Sequence, residues 1–290
     1  AKMRAFNEKS SWIRKMFEEG ARLKAEHGPE NVFDFSLGNP NLEPPEKFNQ
    51  ILENIVKETG GHGYMPQAGY PHVREKIAEY ILKEQGVAVT ANDVVMTCGA
   101  AGALNIILKA VLDPGDEVLS PVPCFVEYHF YTDNHGGVFK TVSTHDDFSL
   151  DLEALASAVN QKTKVVLINS PNNPTGQVYS KESLDALGRL LKEKSGQFKK
   201  TIYLVADEPY RKIIFDDAHV PCIFDSYSNS IMATSYSKDI SIPGERIGFT
   251  VVNPEADYRS DLINAMALTN RIIGFVNAPA LMQRVVAEMQ

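Results

Sequence analysis

Apolar residues along this 290-residue chain switch between two periods, and the switching predicts an ordered succession of helices and strands. Over 11–27 they recur at helical spacing (Trp12, Ile13, Met16, Phe17, Leu23), and Gly28-Pro29 ends the run. A loop rich in Pro, Asn and Gly fills 37–45, and helices are predicted over 45–57 and 70–85. Beyond that point short apolar runs interleave with longer amphipathic ones. The short runs predict strands at 94–96, 117–119, 138–142, 164–168, 201–206, 231–234 and 247–252. The longer ones predict helices at 100–111, after Pro123, at 150–159 and at 181–194. The stretch 258–290 reads as largely helical, interrupted near Gly274 and Pro279. This interleaving predicts an α/β protein with a mostly parallel central sheet flanked by helices.

In such a sheet ligands sit beyond the carboxyl ends of the strands. The polar and small-residue segments fall there. Cys98-Gly99-Ala100-Ala101 follows the first strand, and Pro171-Asn172-Asn173-Pro174 follows the run at 164–168. Asp207-Glu208 follows the run at 201–206, and Ser235-Tyr236-Ser237-Lys238 follows the run at 231–234. Four loops are therefore expected to open on one edge of one sheet.

Composition narrows the class. With 43% hydrophobic residues the chain can bury a large core, and its length fits about two domains. Its 29 basic and 37 acidic residues leave a net charge of −8, which argues against a nucleic-acid partner. Cys98, Cys124 and Cys222 lack metal-type spacing and read as free thiols in a reducing compartment. No apolar run approaches the ~20 residues of a membrane span, and the first residues carry no secretory pattern. The expectation is a soluble cytoplasmic protein without a metal or a membrane partner.

The segment 235–238, with Arg246 eight residues after Lys238, carries the most specific chemistry. A neutral lysine amine condenses with an aldehyde to a Schiff base. Hydroxyls, backbone N–H groups and a fixed cation beside it would hold a phosphate. Pyridoxal 5′-phosphate has both groups; the plainer alternative is a solvated loop lysine. The small residues from Cys98 to Gly102 either admit an anion to a helix N-terminus or serve close helix–sheet packing. Asp207, at the end of an apolar strand, either caps a turn or pairs with a protonated pyridine nitrogen. Tyr210 and Asn173, the latter between Pro171 and Pro174, could reach the cofactor's phenolic oxygen. Phe125 could stack on its ring or belong to the core.

Together these positions resemble the fold type I pyridoxal-phosphate enzymes, specifically the class I/II aminotransferases related to aspartate aminotransferase. The resemblance runs from about Phe33 to Asn277. It rests on Ser170-Pro171-Asn172-Asn173-Pro174-Thr175-Gly176, Ala206-Asp207-Glu208-Pro209-Tyr210, and Ser235-Tyr236-Ser237-Lys238 with Arg246. It implies that Lys238 holds the cofactor as an internal aldimine and that Asp207 pairs with the ring nitrogen. Asn173 and Tyr210 would bond the ring oxygen, with Tyr210 counted among the catalytic residues. Gly99, Ala100, Ala101, Ser235 and Arg246 would bind the phosphate, and Phe125 would stack on the ring. Gly38, within Ser36-Leu37-Gly38-Asn39-Pro40, looks like the family's substrate-side loop, and Asn173 would also face substrate. Tyr64 resembles the tyrosine that reaches a neighbouring subunit's phosphate, which implies a homodimer with shared sites.

The activity so implied is ping-pong transamination between an L-amino acid and a 2-oxo acid. The alternatives are a β- or γ-elimination on the same cofactor and a non-catalytic pyridoxal-phosphate-binding module. A nicotinamide-binding protein is disfavoured because Gly99-Ala100-Ala101-Gly102-Ala103-Leu104 does not match G-x-G-x-x-G. Family members usually continue for roughly another hundred residues, enough for a small domain. The expected division is therefore an N-terminal arm and part of a small domain over 1–45, a large cofactor-binding domain over 46–290, and a C-terminal small domain that is missing. The arginine that would grip the substrate's α-carboxylate has no counterpart among these residues. Arg271 lies near where some relatives contact a side-chain carboxylate, or is a helix-surface residue.

Overall fold

A computed structural model describes residues 2–35, 38–58 and 60–290. Contacts divide the chain into Ala1–Leu42 and Glu43–Gln290. In the first unit a long helix, α1 (Lys2–His27), starts well before the apolar period read from the sequence at 11–27. The side chains of Trp12 and Ile13, part of that period, lie outside the described residues, as do Ser36 and Leu37. Lys24 donates to Asp34 Oδ2 at 2.8 Å and fastens the extended segment after α1 to the helix.

The second unit is a seven-stranded sheet covered by helices on both faces. Its elements are α2 (Glu46–Lys57), α3 (Pro71–Gln85), β1 (Val94–Thr97), α4 (Gly99–Val111), β2 (Glu117–Val122) and α5 (Glu127–Asn134). They continue with β3 (Val138–Ser143), α6 (Leu152–Ala158), β4 (Thr163–Asn169), α7 (Lys181–Phe198) and β5 (Tyr203–Asp207). The last four are β6 (Ser230–Ser235), β7 (Gly248–Val252), α8 (Arg259–Ile272) and α9 (Ala280–Met289). The strand order is β1-β7-β6-β5-β4-β2-β3. Every neighbouring pair is parallel except the two that involve β7, which runs against β1 and β6.

Alternation along the strands sorts the core into two clusters. Val166, Ile168, Leu204, Ala206, Met232 and Phe249 face one side, where α2, α3, α7 and α9 contribute Phe48, Ile77, Leu187 and Val285. Val165, Leu167, Val205, Ile231 and Ala233 face the other, against α4 and α8 through Ile107, Leu108 and Met266. Each fully buried Val, Leu, Ile, Met or Phe among them contributes about 1.5–3 kcal/mol over an exposed one. That is why central strands of this sheet read as unbroken apolar runs.

Two boundaries differ from the sequence reading for identifiable reasons. The strand expected at 201–206 starts only at Tyr203, because side chains bind the backbone of Ile202: Tyr227 Oη donates to its carbonyl at 2.9 Å, and its N–H donates to Ser195 Oγ at 3.2 Å. The strand expected at 117–119 runs on to Val122 through Pro121. β3 pairs with it over the whole length, whereas β4 pairs only as far as Leu119, so Pro121's missing N–H lies beyond the doubly paired part.

Candidate functional site

Strand direction assembles the polar segments. β1, β2, β4, β5 and β6 all finish at one edge, which brings the loops after Thr97, Val122, Asn169, Asp207 and Ser235 together. β7 runs the other way, so its beginning lies at that edge and carries Arg246, two residues before Gly248, to the same place. Ser235 and Thr97 are both in register with Gly248.

At this end α4 starts directly after β1. Gly99 has φ +73°, a left-handed value that favours glycine, and a Cβ there would stand 3.0 Å from Arg246 Nη2. A Cβ on Gly248 would meet the Thr234 carbonyl at 2.3 Å and Gly99 backbone at 3.0 Å, so two glycines let the helix start press onto the sheet. Cys98 supplies no side-chain cap, which leaves the N–H groups of the first turn, where Ala100 and Ala101 lie, open to an anion. The Arg246 guanidinium is held by Nη1 donating to the Pro243 carbonyl at 2.8 Å. Lys238 is half-buried beside it. Burial, and secondarily the Arg246 charge, pull the Lys238 ammonium below the usual lysine range, which enlarges its neutral, nucleophilic fraction.

The middle of the edge belongs to Asp207, 5% exposed at the end of β5. Its Oδ2 accepts from Tyr128 Oη at 2.6 Å, while its Oδ1 is buried with no hydrogen-bond partner among the described residues. Burial pushes the carboxyl up to about 7, against the Tyr128 hydrogen bond; the neighbouring Glu208 charge adds a smaller push in the same direction. Phe125 packs edge-on to Tyr128 with ring centroids 5.6 Å apart. Asn173 Nδ2 donates to Tyr210 Oη at 3.3 Å. Burial and the Asp207 charge raise the Tyr210 phenol, so it stays protonated as a donor.

Sequence reasoning missed Tyr128, Asn169 and the Glu208–Arg211 pair. Tyr128 is fully buried on α5 and meets Asp207 across 79 positions, a partnership that no local spacing encodes. Arg211 donates from Nε to Glu208 Oε2 at 2.7 Å and from Nη1 and Nη2 to the Val220 and Pro221 carbonyls, each at 2.8 Å. The arginine thus pins the loop after Asp207 to the end of its own strand.

Tyr64 is 93% exposed, on a depression shared with Met65, Cys98 and the segment 274–280. Gly38 belongs to the first unit. Arg271 is exposed in the last turn of α8, the surface position foreseen as one alternative. No described helix is long and apolar enough to cross a membrane.

Comparison with known proteins agrees with this architecture. The family described as aminotransferase class I and II matches residues 30–290. A probable aspartate aminotransferase of Methanocaldococcus jannaschii is 32% identical over 237 residues, 81% of this chain and 61% of that protein. The aspartate aminotransferase of Pyrococcus horikoshii is 30% identical over 267 residues, 90% of this chain and 64% of that one. The chain thus spans a little over three-fifths of the length of these curated relatives. Among solved structures, an amino transferase of Eubacterium rectale superposes with a TM-score of 0.94 at 36% identity, covering 99% of this chain and 74% of that one. The Thermus thermophilus aspartate aminotransferase with maleate gives a TM-score of 0.83 at 29% identity, covering 95% and 69%. A match over nine-tenths of the residues, on a sheet of this order with its polar loops gathered at one edge, makes the chain a member of the class I and II aminotransferases.

Proposed function

We propose that the protein catalyses pyridoxal-phosphate-dependent transamination between an L-amino acid and a 2-oxo acid. The observation that carries this reading is the buried Asp207, whose Oδ1 has no partner among the described residues, at the same sheet edge as a half-buried lysine and an arginine set against a helix start. A buried carboxylate oxygen without a partner is costly unless a cationic donor arrives to meet it. A protonated pyridine nitrogen is such a donor. The uncapped first turn of α4 with Arg246 and Ser235 suits a phosphate, and the Asn173–Tyr210 pair suits a phenolic oxygen. The residues present therefore fit the cofactor.

In this reading Lys238 holds the aldehyde carbon, and Asp207 holds the ring nitrogen in its protonated form. Gly99, Ala100, Ala101, Ser235 and Arg246 hold the phosphate; Phe125 covers a ring face. When bound, the cofactor supplies an electron sink for the charge that develops at the substrate's Cα. Once released from the aldehyde carbon by the substrate's amine, Lys238 Nζ would take the proton from that Cα, a task suited to an amine whose charged form is disfavoured by burial and by Arg246. Tyr128 keeps one oxygen of Asp207 engaged, so that the other is presented to the ring nitrogen. Arg246 anchors and does not exchange protons.

A homodimer belongs to the same proposal, and the exposure of Tyr64 supports it, since a tyrosine that serves a second copy must be accessible within its own chain. A large cofactor domain from about residue 46, with 1–45 as arm and part of a small domain, is the matching division. The three unpaired thiols fit a cytoplasmic setting. Pyridoxal 5′-phosphate added to the protein should give a visible absorption band, and Lys238→Ala should lose both the band and transamination with 2-oxoglutarate. Turnover by that variant equal to the parent's excludes the assignment. Release of ammonia without formation of a new amino acid would point to an elimination.

A further inference from the structure

One buried side chain outside the proposed cofactor contacts ties two of them together. Asn169 is the last residue of β4 and lies in register with Asp207 on β5. Its Nδ2 donates to the Asp207 carbonyl at 2.7 Å, and its Oδ1 accepts from the Asn173 backbone N–H at 2.6 Å. Both ends of the carboxamide are thus used, each on the main chain of a residue assigned to the cofactor. The chain leaves the sheet at Ser170-Pro171, and a proline brings no N–H to continue a ladder. The carboxamide replaces the strand that has just ended. Asn172 performs a neighbouring task, with its Oδ1 accepting from Thr175 N–H and Oγ1. That bond stiffens the loop internally but does not connect it to β5.

We propose that Asn169 is a positioning residue that sets the separation between Asp207 and Asn173, and through it the simultaneous grip on the ring nitrogen and the ring oxygen. The inference rests on the cofactor reading above. A planar carboxamide with two hydrogen bonds of these lengths leaves little play. Loss of one bond should therefore loosen the residue that it holds, and loss of both should loosen the pair.

The two halves of the bridge separate by substitution. Asn169→Ala removes both. Asn169→Asp has the same shape, keeps the acceptor for the Asn173 N–H and loses the donor to the Asp207 carbonyl. The experiment is a mutant cycle on pyridoxal 5′-phosphate affinity, measured by titrating the cofactor into the purified apo-protein, with circular dichroism to show that each variant is folded. Asn169→Ala and Asn173→Ala should each weaken binding by roughly tenfold, and the double variant should fall short of the product of the two losses by at least about threefold. Asn169→Asp combined with Asn173→Ala should be multiplicative, because the half that serves Asn173 is intact; this pair also carries the test if Asn169→Ala does not fold. Multiplicative losses for Asn169→Ala with Asn173→Ala overturn the inference, as does parental affinity in Asn169→Asp. Parental protein that fails to bind the cofactor overturns the functional reading and this inference with it, whereas normal parental binding with uncoupled variants overturns this inference alone.

Discussion

Asp207 and Glu208 are adjacent carboxyls, 5% and 2% exposed, yet their surroundings have opposite characters. Around Glu208 everything is closed: Arg211 meets the carboxylate, and the Val220 and Pro221 carbonyls take up the guanidinium's other donors. Around Asp207 the arrangement is half-made, with a tyrosine on one oxygen and nothing on the other among the described residues. Burial raises both carboxyls, but a fixed positive charge opposes it only at Glu208. Two neighbouring acids buried to the same depth can thus serve stability in one case and a ligand in the other. What separates them is whether the protein supplies the counter-charge itself.

The largest effect should come from opening the closed side. Arg211→Met leaves Glu208 buried and unpaired and should cost about 3–5 kcal/mol of stability, read by denaturant unfolding. A loss below ~1 kcal/mol would mean that the pair is not the clamp described here. Next comes the open side. Asp207→Asn should lower turnover roughly 10²–10³-fold, the scale of losing a preorganised electrostatic partner. The same change should leave the unfolding midpoint of the cofactor-free protein unchanged or raised. A destabilisation as large as that of Arg211→Met would erase the contrast.

The smallest effect is graded with pH. The Asp207 carboxyl is raised from 3.8 to about 7 in the fold, so between those values the folded protein holds a proton that the unfolded chain has released. Stability of the cofactor-free protein should therefore fall as pH rises across that window, by at most about 1.4 kcal/mol per unit from this group. In Tyr128→Phe the ionised form loses its one donor and the upper limit of the window should move above 7. Asp207→Asn should flatten the profile. A profile that keeps its slope in Asp207→Asn assigns the effect to another group.

Much of this molecule was legible in the string, and what escaped has a common cause. Apolar runs located the central strands because strands buried on both faces need side chains that tolerate burial, whereas the edge strand β3 (138–143) is largely exposed. The polar segments after four of those strands marked the edge at which the structure gathers their loops. Direction was not legible: the run at 247–252 looks like its neighbours, and only pairing with β1 and β6 shows that it is reversed. Partners across long separations also escaped. Tyr128 and Asp207 are 79 positions apart, and Asn169 and Asp207 are 38 apart, so their meeting depends on register and not on spacing. Tyr64 was singled out by local resemblance alone, and within one chain it is exposed.

The reversal of β7 also bears on how this fold can be altered. Lys238 and Arg246 hang from the single connection between β6 and β7, whose ends are pinned where Ser235 faces Gly248. Amine and guanidinium thus travel as one cassette. An insertion anywhere in 239–245 would lengthen the tether between them while every strand stayed in place, so this short span should tolerate exchange of residues far better than change of length.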